Sequence, residues 1–424
     1  MESRQTRKIA VVGGGVAGIV ASYLLQRRFE VSLFEKNDYI GGHTHTVLID
    51  DGPDAGTPVD TGFIVFNEKT YPNFIRFLAR LAIEKQKSSM SFSYYDARTG
   101  MMYASTNVDT FLAQRRNMLR PSFWMMALAV LRFNQITPKH LEEGKLRGLT
   151  LGEFLAGHRF NRYFVEQYLI PICASVWSAP DVRMLDFPME TFARFFLNHG
   201  LLSVLNQPQW YVVRGGSHAY VNAFLKTFRG RVFPRTPVTA LTRKSGGISL
   251  KTTEGSEETF DTVVLACHAD EALRMLADPS PDERRLLAAW DYSHNRTVLH
   301  HDASFLPPMP KVRASWNYMR MEAVESGSPV MLTYYMNRLQ NLATRRQYCV
   351  TLNPKKPVPH EAVIREMVYN HPIYTPESLS TQAGISGMNG LRNTYFCGSY
   401  LGNGFHEDAV KSAVAVARTF GIEL

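Results

Sequence analysis

The chain has few cysteines and no long apolar run. Four cysteines are scattered over 424 residues, and no two of them form a Cys-x-x-Cys pair. This excludes a disulfide framework and argues against a structural zinc site, and it is typical of a reducing cytosol. The sequence also lacks the roughly eighteen continuous apolar residues of a membrane-spanning helix. We therefore expect a cytoplasmic protein, at most peripheral to the inner face of a membrane.

Several functional classes lack their usual signals. The sequence contains no Gly-x-Ser-x-Gly nucleophile elbow, no internal repeat and no dense basic tail. His43 and His45, and the adjacent His300 and His301, do not have the spacing of a metal site, so no metal is predicted. The net charge of +9 favours acidic partners such as phosphate cofactors or anionic membrane. Because the basic residues are dispersed, nucleic acid is not an expected partner.

The N-terminal region predicts a strand, a glycine turn, a helix and a second strand. The strand Lys8–Val12 is followed by Gly13-x-Gly15-x-x-Gly18, a helix over Val16–Arg27 and a parallel strand over Val31–Glu35. Such glycines allow a tight turn, close approach to a pyrophosphate and close packing of helix on strand. Glu35 is placed to accept hydrogen bonds from ribose hydroxyls. The pattern predicts a dinucleotide site.

The rest of the chain is predicted to build two interleaved domains. Between about Pro72 and Asn206 the sequence is helical, aromatic and methionine-rich, with few strand signals. Strands are predicted within 231–265, most clearly at 237–241 and 260–266, and again at 330–336. The end of the chain indicates a strand, a glycine loop and a helix from about Glu407. At 424 residues, two domains are the natural expectation.

A second glycine pair narrows the choice of cofactor. Gly41-Gly42-His43-Thr44 follows Glu35, and a simple NAD site has no need of it. Here the sequence resembles the FAD-dependent amine-oxidase superfamily, which includes protoporphyrinogen oxidases and phytoene desaturases. His43 stands where an arginine is usual in that pattern, and Arg28 replaces a glycine before the second strand. The resemblance implies noncovalent FAD.

The resemblance recurs in order along most of the chain. The matching segments are Val59-Asp60-Thr61-Gly62, Gly215-Gly216-Ser217-His218, Pro237-Val238-Thr239-Ala240-Leu241, Phe260 to Ala269, Cys397-Gly398-Ser399-Tyr400 and Gly402 to Ala409. The last segment would aim backbone N–H groups at the flavin, where reduction leaves negative charge. The alternative interpretation of that segment is a C-terminal helix that only packs on the core.

The resemblance implies an α/β fold in which a Rossmann-type FAD domain is interleaved with an α+β substrate domain. The expected FAD domain comprises residues 1–75, 207–290 and 385–424, and the substrate domain 76–206 and 291–384. The implied cofactor-binding residues are Gly13, Gly15, Val16, Ala17, Gly18, Glu35, Lys36, Gly42, His43, Thr44, Gly62, Phe63, Val238, Cys267, Gly398, Gly404, Phe405, His406 and Ala409. Tyr400, His406 and Glu407 are catalytic candidates only through their expected nearness to the flavin.

Longer strings indicate a substrate class. Segments 59–74, 89–94 and 398–413 resemble a bacterial family of predicted NAD/FAD-binding proteins often found with cyclopropane-fatty-acyl-lipid synthases. This implies an FAD-dependent oxidoreductase that desaturates or isomerises an unsaturated or modified fatty acyl chain. Two alternatives stay open: an oxidase of small amines, and a non-enzymatic FAD- or lipid-binding protein. The sequence gives no indication of oligomeric state.

One segment combines basic and apolar residues. Arg115, Arg116 and Arg120 precede the apolar run 123–131, and Arg132 follows it. A basic edge beside an aromatic and aliphatic face suits anionic lipid headgroups, with a route for an acyl chain. The commoner interpretation of such a run is an amphipathic helix that packs on the core.

Overall fold

The structure is a computed structural model that describes residues 7–177, 184–203, 208–321 and 331–424. Within these residues the strands are β1 (Lys8–Val12), β2 (Glu30–Phe34), β3 (Thr46–Leu48), β4 (Pro58–Asp60), β5 (Phe66–Asn67), β6 (Lys85–Ser88), β7 (Phe92–Asp96), β8 (Met101–Ala104), β9 (Trp210–Val213), β10 (Arg231–Phe233), β11 (Val238–Lys244), β12 (Gly247–Thr252), β13 (Glu257–Phe260), β14 (Thr262–Leu265), β15 (Asp291–His300), β16 (Trp316–Arg320), β17 (Leu332–Tyr335), β18 (Cys349–Leu352), β19 (Val363–Ile373) and β20 (Thr394–Phe396). The helices are α1 (Val16–Leu25), α2 (Pro72–Arg80), α3 (Val108–Phe111), α4 (Pro121–Glu142), α5 (Leu151–Gly157), α6 (Arg162–Phe164), α7 (Ile170–Trp177), α8 (Met189–Asn198), α9 (His218–Thr227), α10 (Ala269–Met275), α11 (Pro281–Leu287), α12 (Met336–Leu339), α13 (Pro376–Gly387) and α14 (His406–Thr419).

A five-stranded parallel sheet forms the centre of the fold. Its strand order is β10-β2-β1-β14-β20, and every neighbouring pair is parallel. β1 and β14 are apolar runs, as expected of strands that are buried on both faces. α1 packs against α14, so the two ends of the chain meet beside this sheet.

A second, mixed sheet carries most of the remaining strands. It has seven strands in the order β19-β15-β18-β17-β16-β7-β8. α7 packs against β16, and α4 packs on α6 and α8. Together the two sheets confirm the predicted α/β fold class, with a Rossmann-type part and an α+β part. In the described part of the chain, no helix is both long enough and apolar enough to cross a membrane.

The segment after Pro72 contains more strands than the sequence predicts. β6, β7 and β8 lie in the region expected to be helical. β6 and β8 are edge strands of their sheets. The sequence of β6, Lys-Gln-Lys-Ser, has no apolar alternation. Such strands are fixed by pairing with distant residues rather than by local pattern, and a reading of local sequence misses them.

Smaller differences concern element limits. α1 ends at Leu25 rather than Arg27, and the strand predicted over 260–266 is broken at Asp261 between β13 and β14. The strand predicted over 330–336 is only β17, with Val330 outside the described residues. The domain boundary predicted at 206/207 also lies outside the described residues. The parallel sheet takes its strands from three separate segments of the chain, and the domain limits stay a prediction.

Candidate active site

A large cavity extends from the parallel sheet to α4. Its volume is about 1400 Å³. At one end it touches Val12 and Phe34, where β1 and β2 finish, and at the other Ala127 and Val130 of α4. Ligands of open α/β sheets bind at the carboxyl ends of the strands. Because cofactor and small-molecule pockets commonly measure about 300–1,000 Å³, this cavity has room for a cofactor and a second ligand.

The glycine turn between β1 and α1 is shaped to hold a phosphate. Gly13 has a φ of +106°, and a Cβ there would lie 2.5 Å from the carbonyl oxygen of Ala266. A Cβ on Gly18 would overlap the carbonyl oxygen of Gly13. Gly15 differs, because a Cβ there would meet no atom within 4 Å. Gly15 is the N-cap of α1, whose first turn has no side-chain cap and no acidic residue. The unpaired backbone N–H groups in the first turn of α1 therefore face the open cavity, where they are suited to bind an anion such as phosphate.

The end of β2 supplies the polar groups at this end of the cavity. The carboxylate of Glu35 accepts hydrogen bonds from the N–H groups of Gly14, at 2.7 Å, and Asn37, at 2.8 Å. Burial raises the pKa of Glu35. A carboxylate has about four acceptor positions, so two stay available for ribose hydroxyls. Lys36 pairs with Glu271 at 2.5 Å on the rim.

The second glycine turn lies against the first. The N–H of Gly41 donates to the carbonyl of Gly14 at 2.8 Å. His43 follows in the cavity wall, where its imidazole ring has a hydrogen bond with the backbone of Asn370. Its Nε2 is buried and has no hydrogen-bond partner within the described residues. Burial lowers the pKa of His43 well below its usual value, so the imidazole is neutral.

His406 begins α14 and closes the wall on another side. Its ring stacks on Phe63 with centroids 3.6 Å apart. Nε2 of His406 lies 3.1 Å from the hydroxyl of Tyr220, which in turn lies 2.5 Å from the hydroxyl of Thr44. Burial lowers the pKa of His406 to about 3, so this ring is neutral too. Thr44 does not line the cavity and acts on the wall through Tyr220.

The loop before α14 brings glycine and aromatic residues to the cavity. Gly404 has a φ of +90°, and a Cβ there would lie 2.8 Å from the hydroxyl of Tyr374. Tyr400 lies edge-on to Trp290, whereas Phe405 stacks on Phe195. The hydroxyl of Tyr400 is buried without a hydrogen-bond partner in the described structure. Burial raises the pKa of Tyr400 well above its usual value, so the phenol stays protonated.

The structure brings most of the predicted site residues to one cavity. Those that line it are Gly13, Gly15, Val16, Ala17, Glu35, Lys36, Gly42, His43, Gly62, Phe63, Val238, Cys267, Gly398, Tyr400, Gly404, Phe405, His406 and Ala409. Gly18, Thr44 and Glu407 are not among the lining residues. Gly18 and Thr44 lie directly behind lining residues.

Glu407 lies away from the cavity and caps a helix. Its carboxylate accepts hydrogen bonds from the backbone N–H and the side-chain amide of Asn73, at 3.0 and 2.7 Å. It also accepts one from the backbone N–H of Phe74, at 2.9 Å. These donors belong to the first turn of α2, where a carboxylate is stabilising. We propose that Glu407 positions α2 against α14, and we no longer favour it as a catalytic candidate.

Comparison with known proteins assigns the family. Residues 16–349 match the family of flavin-containing amine oxidoreductases. This match covers well over half of the chain. The chain belongs to this family. It is an FAD-dependent oxidoreductase, as predicted.

Curated relatives match parts of this oxidoreductase. It is 29% identical over 170 residues to 1-hydroxycarotenoid 3,4-desaturase of Flavobacterium sp. (strain P99-3), which is 38% of this chain and 32% of that protein. It is 35% identical over 114 residues to the FAD-dependent oxidoreductase pigF of Monascus ruber, which is 26% of this chain and 24% of that one. Each match thus spans a third or less of the relative's length.

Solved structures share the fold over almost the whole chain. The fatty acid isomerase from P. acnes, which produces CLA, superposes with a TM-score of 0.68 at 18% identity, covering 99% of this chain and 100% of the isomerase. Cyclohexylamine oxidase from Brevibacterium oxydans IH-35A gives a TM-score of 0.70 at 14% identity, covering 98% and 100%. At such identities the likeness concerns the fold.

The geometry of the oxidoreductase fits FAD. Gly15 leaves a space that any side chain would fill, and the free N–H groups of α1 face it. Nε2 of His43 and the hydroxyl of Tyr400 are buried polar atoms of lining residues, and neither has a hydrogen-bond partner among the described residues. Buried polar atoms without partners are rare, and a polar ring system with hydrogen-bonding edges would satisfy them. We propose that the ADP half of FAD lies at the glycine turn and the flavin between His43, Phe63 and Tyr400.

Sequence reasoning missed the contribution of β19. Tyr369 and His371 lie two residues apart on that strand, on the same face, and both line the cavity. The hydroxyl of Tyr369 lies 2.7 Å from that of Thr61, and the ring of His371 packs 5.2 Å from that of His43. Burial lowers the pKa of His371 to about 4. Apolar and polar residues do not alternate regularly in Val363–Ile373, so no local signal singles out these two residues.

Proposed function

We propose that this oxidoreductase acts on a fatty acyl chain and that it desaturates the chain or shifts its double bond. The observation that carries the proposal is the apolar part of the cavity between the predicted flavin position and α4. Its walls include Phe111, Ala127, Val130, Ile172 and Val176. Transfer of an acyl chain from water into such a lining is favourable by about 0.8 kcal/mol for each CH₂ group that is buried.

In the described structure, charged side chains line the cavity only at the end beside the glycine turn. Of the described residues that line it, the acidic and basic ones are Glu35, Lys36, Glu271 and Arg274. An ammonium group in the apolar part would lose its hydration and meet no carboxylate there, which is unfavourable. An amine oxidase is expected to have an aromatic cage beside the flavin, but the rings of Tyr400 and Phe405 pack on two different partners, Trp290 and Phe195. Both features favour an acyl chain over a small amine.

The chain's own residues would exclude water and hold the substrate. When bound, the flavin supplies a hydride acceptor at N5. The imidazoles of His43, His371 and His406 are neutral and resist protonation, since burial lowers the pKa of each. Desaturation releases a proton as well as a hydride, whereas return of the hydride to another carbon releases neither. Because burial lowers their pKa values, these three imidazoles are weak bases, and this favours isomerisation of an existing double bond, which needs no net loss of a proton.

The relatives support the same substrate class. One curated relative is a carotenoid desaturase, and one structural neighbour is a fatty acid isomerase. According to their names, one acts on a hydroxycarotenoid and the other on a fatty acid. The resemblance to the bacterial family found with cyclopropane-fatty-acyl-lipid synthases supports an acyl substrate in this chain.

The test is anaerobic mixing of the FAD-bound protein with unsaturated fatty acids, bacterial phospholipids and small amines. We expect the acyl substrates to be altered, and mass analysis then separates the reactions. A product lighter by two hydrogens, with loss of the visible flavin absorbance, indicates desaturation, whereas an unchanged mass with a moved double bond indicates isomerisation. The control is a Gly15→Val variant, which fills the phosphate space. Loss of flavin absorbance with amines alone would refute the acyl proposal.

A further inference from the structure

An exposed apolar surface lies at the α4 end of the cavity. Most large apolar side chains that are exposed in the described residues occur between residues 108 and 131. We define the docking face as the exposed side chains of Val108, Leu119, Trp124, Met125, Leu128 and Leu131. A contiguous exposed apolar patch on a soluble protein commonly marks a binding surface.

The helical repeat of α4 separates three faces. Phe123, Met126 and Phe133 are buried and hold the helix on the core. Trp124 and Leu128, four residues apart, point to solvent. α4 therefore agrees with both interpretations of its sequence. One face packs on the core, as in an amphipathic core helix, and another face is exposed to solvent and available to lipid.

The third face of α4 connects the docking face with the cavity. Ala127, Val130 and Leu131 recur at three- and four-residue intervals and line the cavity. Leu131 is also 57% exposed, and Val108 of α3 is 72% exposed and lines the cavity as well. These two side chains belong to both surfaces, so the docking face surrounds an opening of the cavity.

Arginines surround the docking face. Arg116 and Arg120 donate hydrogen bonds to the carbonyl oxygens of Gly100 and Thr99. Among the described residues, no carboxylate forms an ion pair with either arginine. Arg132 lies over the ring of Phe160, 5.1 Å from its centroid.

One acidic side chain lies within this basic border. Asp109 pairs with Arg115 at 3.2 Å and with Lys311 at 2.5 Å. It faces two cations and cannot neutralise the other arginines. The border of the docking face is therefore positively charged.

We infer that the docking face binds the surface of an anionic phospholipid bilayer. Its apolar side chains would enter the acyl boundary while Arg116, Arg120 and Arg132 meet lipid phosphates. An acyl chain could then pass between Val108 and Leu131 without crossing water. This route rests on the proposed acyl substrate, whereas the docking itself does not.

A second copy of the chain suits this surface less well. In a two-fold dimer the same patch faces itself, so the arginines at its border would approach one another. Juxtaposed like charges oppose association. The combination of apolar centre and basic border favours lipid.

The test is co-sedimentation of the FAD-bound protein with vesicles in the absence of turnover. We expect binding to phosphatidylcholine vesicles that contain phosphatidylglycerol, and at least tenfold weaker binding to phosphatidylcholine alone or at high salt. Leu128→Asp should weaken binding at least tenfold. The matched control is Leu391→Asp, because Leu391 is 63% exposed and Leu128 66%, and Leu391 lies outside the docking face.

Two results with the Leu128→Asp variant would overturn the inference. One is equal sedimentation of wild type and Leu128→Asp. The other is a dimer in light scattering that Leu128→Asp dissociates, which would assign the surface to a second copy. Flavin content and melting temperature should be unchanged in both variants, since the side chains are exposed. Vesicle binding without acyl turnover would refute the proposed function alone, and turnover of detergent-dispersed acids without vesicle binding would refute the docking alone.

Discussion

Alanine at two glycines of the same turn should separate cofactor binding from folding. Gly15→Ala places a methyl group where no atom lies within 4 Å, in front of the free N–H groups of α1. Gly18→Ala places the same methyl group onto the carbonyl oxygen of Gly13. The chemical change is identical, and only its surroundings differ.

The magnitudes follow from these contacts. At Gly15, the lost freedom of the unfolded chain and the poorer N-cap are opposing effects of at most about 1 kcal/mol each, so the free energy of unfolding should change by less than about 0.5 kcal/mol. At Gly18, overlap with a backbone atom should cost about 1–3 kcal/mol. A methyl group that removes one charge-assisted hydrogen bond to phosphate should cost about 1.5–3 kcal/mol of FAD binding, or roughly 10- to 150-fold in Kd.

Two measurements check this prediction. Urea unfolding of the cofactor-free protein reports stability, and titration with FAD, followed by its fluorescence, reports Kd. We expect Gly15→Ala to change mainly the titration and Gly18→Ala to lower the unfolding midpoint. Wild-type FAD affinity in Gly15→Ala would refute the assignment of the phosphate to this turn. Wild-type stability in Gly18→Ala would refute the close approach of α1 to β1.

Three further substitutions test other parts of the site. Glu407→Ala removes the cap of α2 and should lower the free energy of unfolding by about 1–3 kcal/mol in urea, with kcat of the folded enzyme nearly unchanged; a large loss of kcat at normal stability would instead make Glu407 catalytic. Burial lowers the pKa of His371 to about 4, whereas the pKa of an unfolded histidine is about 6.5. Between these two pH values the unfolded state binds more protons than the folded state. The free energy of unfolding therefore falls on acidification, and His371 contributes roughly 3 kcal/mol to that fall. His371→Asn should reduce the difference in unfolding free energy between pH 7 and pH 4 by that amount, and an unaltered difference would contradict the shift. Ala127→Phe fills the apolar part of the cavity and should raise KM for long acyl chains more than for short ones without altering the flavin spectrum; equal effects on both would place the substrate elsewhere.

Local backbone demands made the first part of the site predictable. The glycine turn, α1 and Glu35 lie within one short segment. Gly13 and Gly18 have a steric reason to be glycine, and Gly15 leaves open space in front of α1. The C-terminal loop was predictable for the same reason, since Gly404 has a positive φ close to another side chain. The local pattern of glycines displays these turns directly, even where the atom that excludes a side chain, such as the carbonyl oxygen of Ala266, is distant in sequence.

Long-range pairing hid the rest. Tyr369 reaches the cavity because β19 pairs antiparallel with β15, where Asn295 lies opposite it. Nothing within Val363–Ile373 specifies that register. For Glu407 the sequence was misleading. Its position beside the predicted flavin loop suggested a catalytic role, but its side chain points to the start of α2. The helical repeat gives the direction of a side chain relative to its own helix. Whether that direction meets the cavity or another helix depends on how the helices pack, which the sequence alone does not show.

The order of strands in the parallel sheet has a consequence for biosynthesis. β1 and β2 leave the ribosome early, whereas β20, which pairs with β14, is made some 360 residues after β2. At about 5–20 residues per second, the nascent chain waits tens of seconds for its last strand. A translation intermediate stalled before Thr394 would therefore retain no flavin, however long it is incubated with the nucleotide. Release of the glycine loop at 398–404 from the exit tunnel would mark the moment at which the polypeptide becomes yellow.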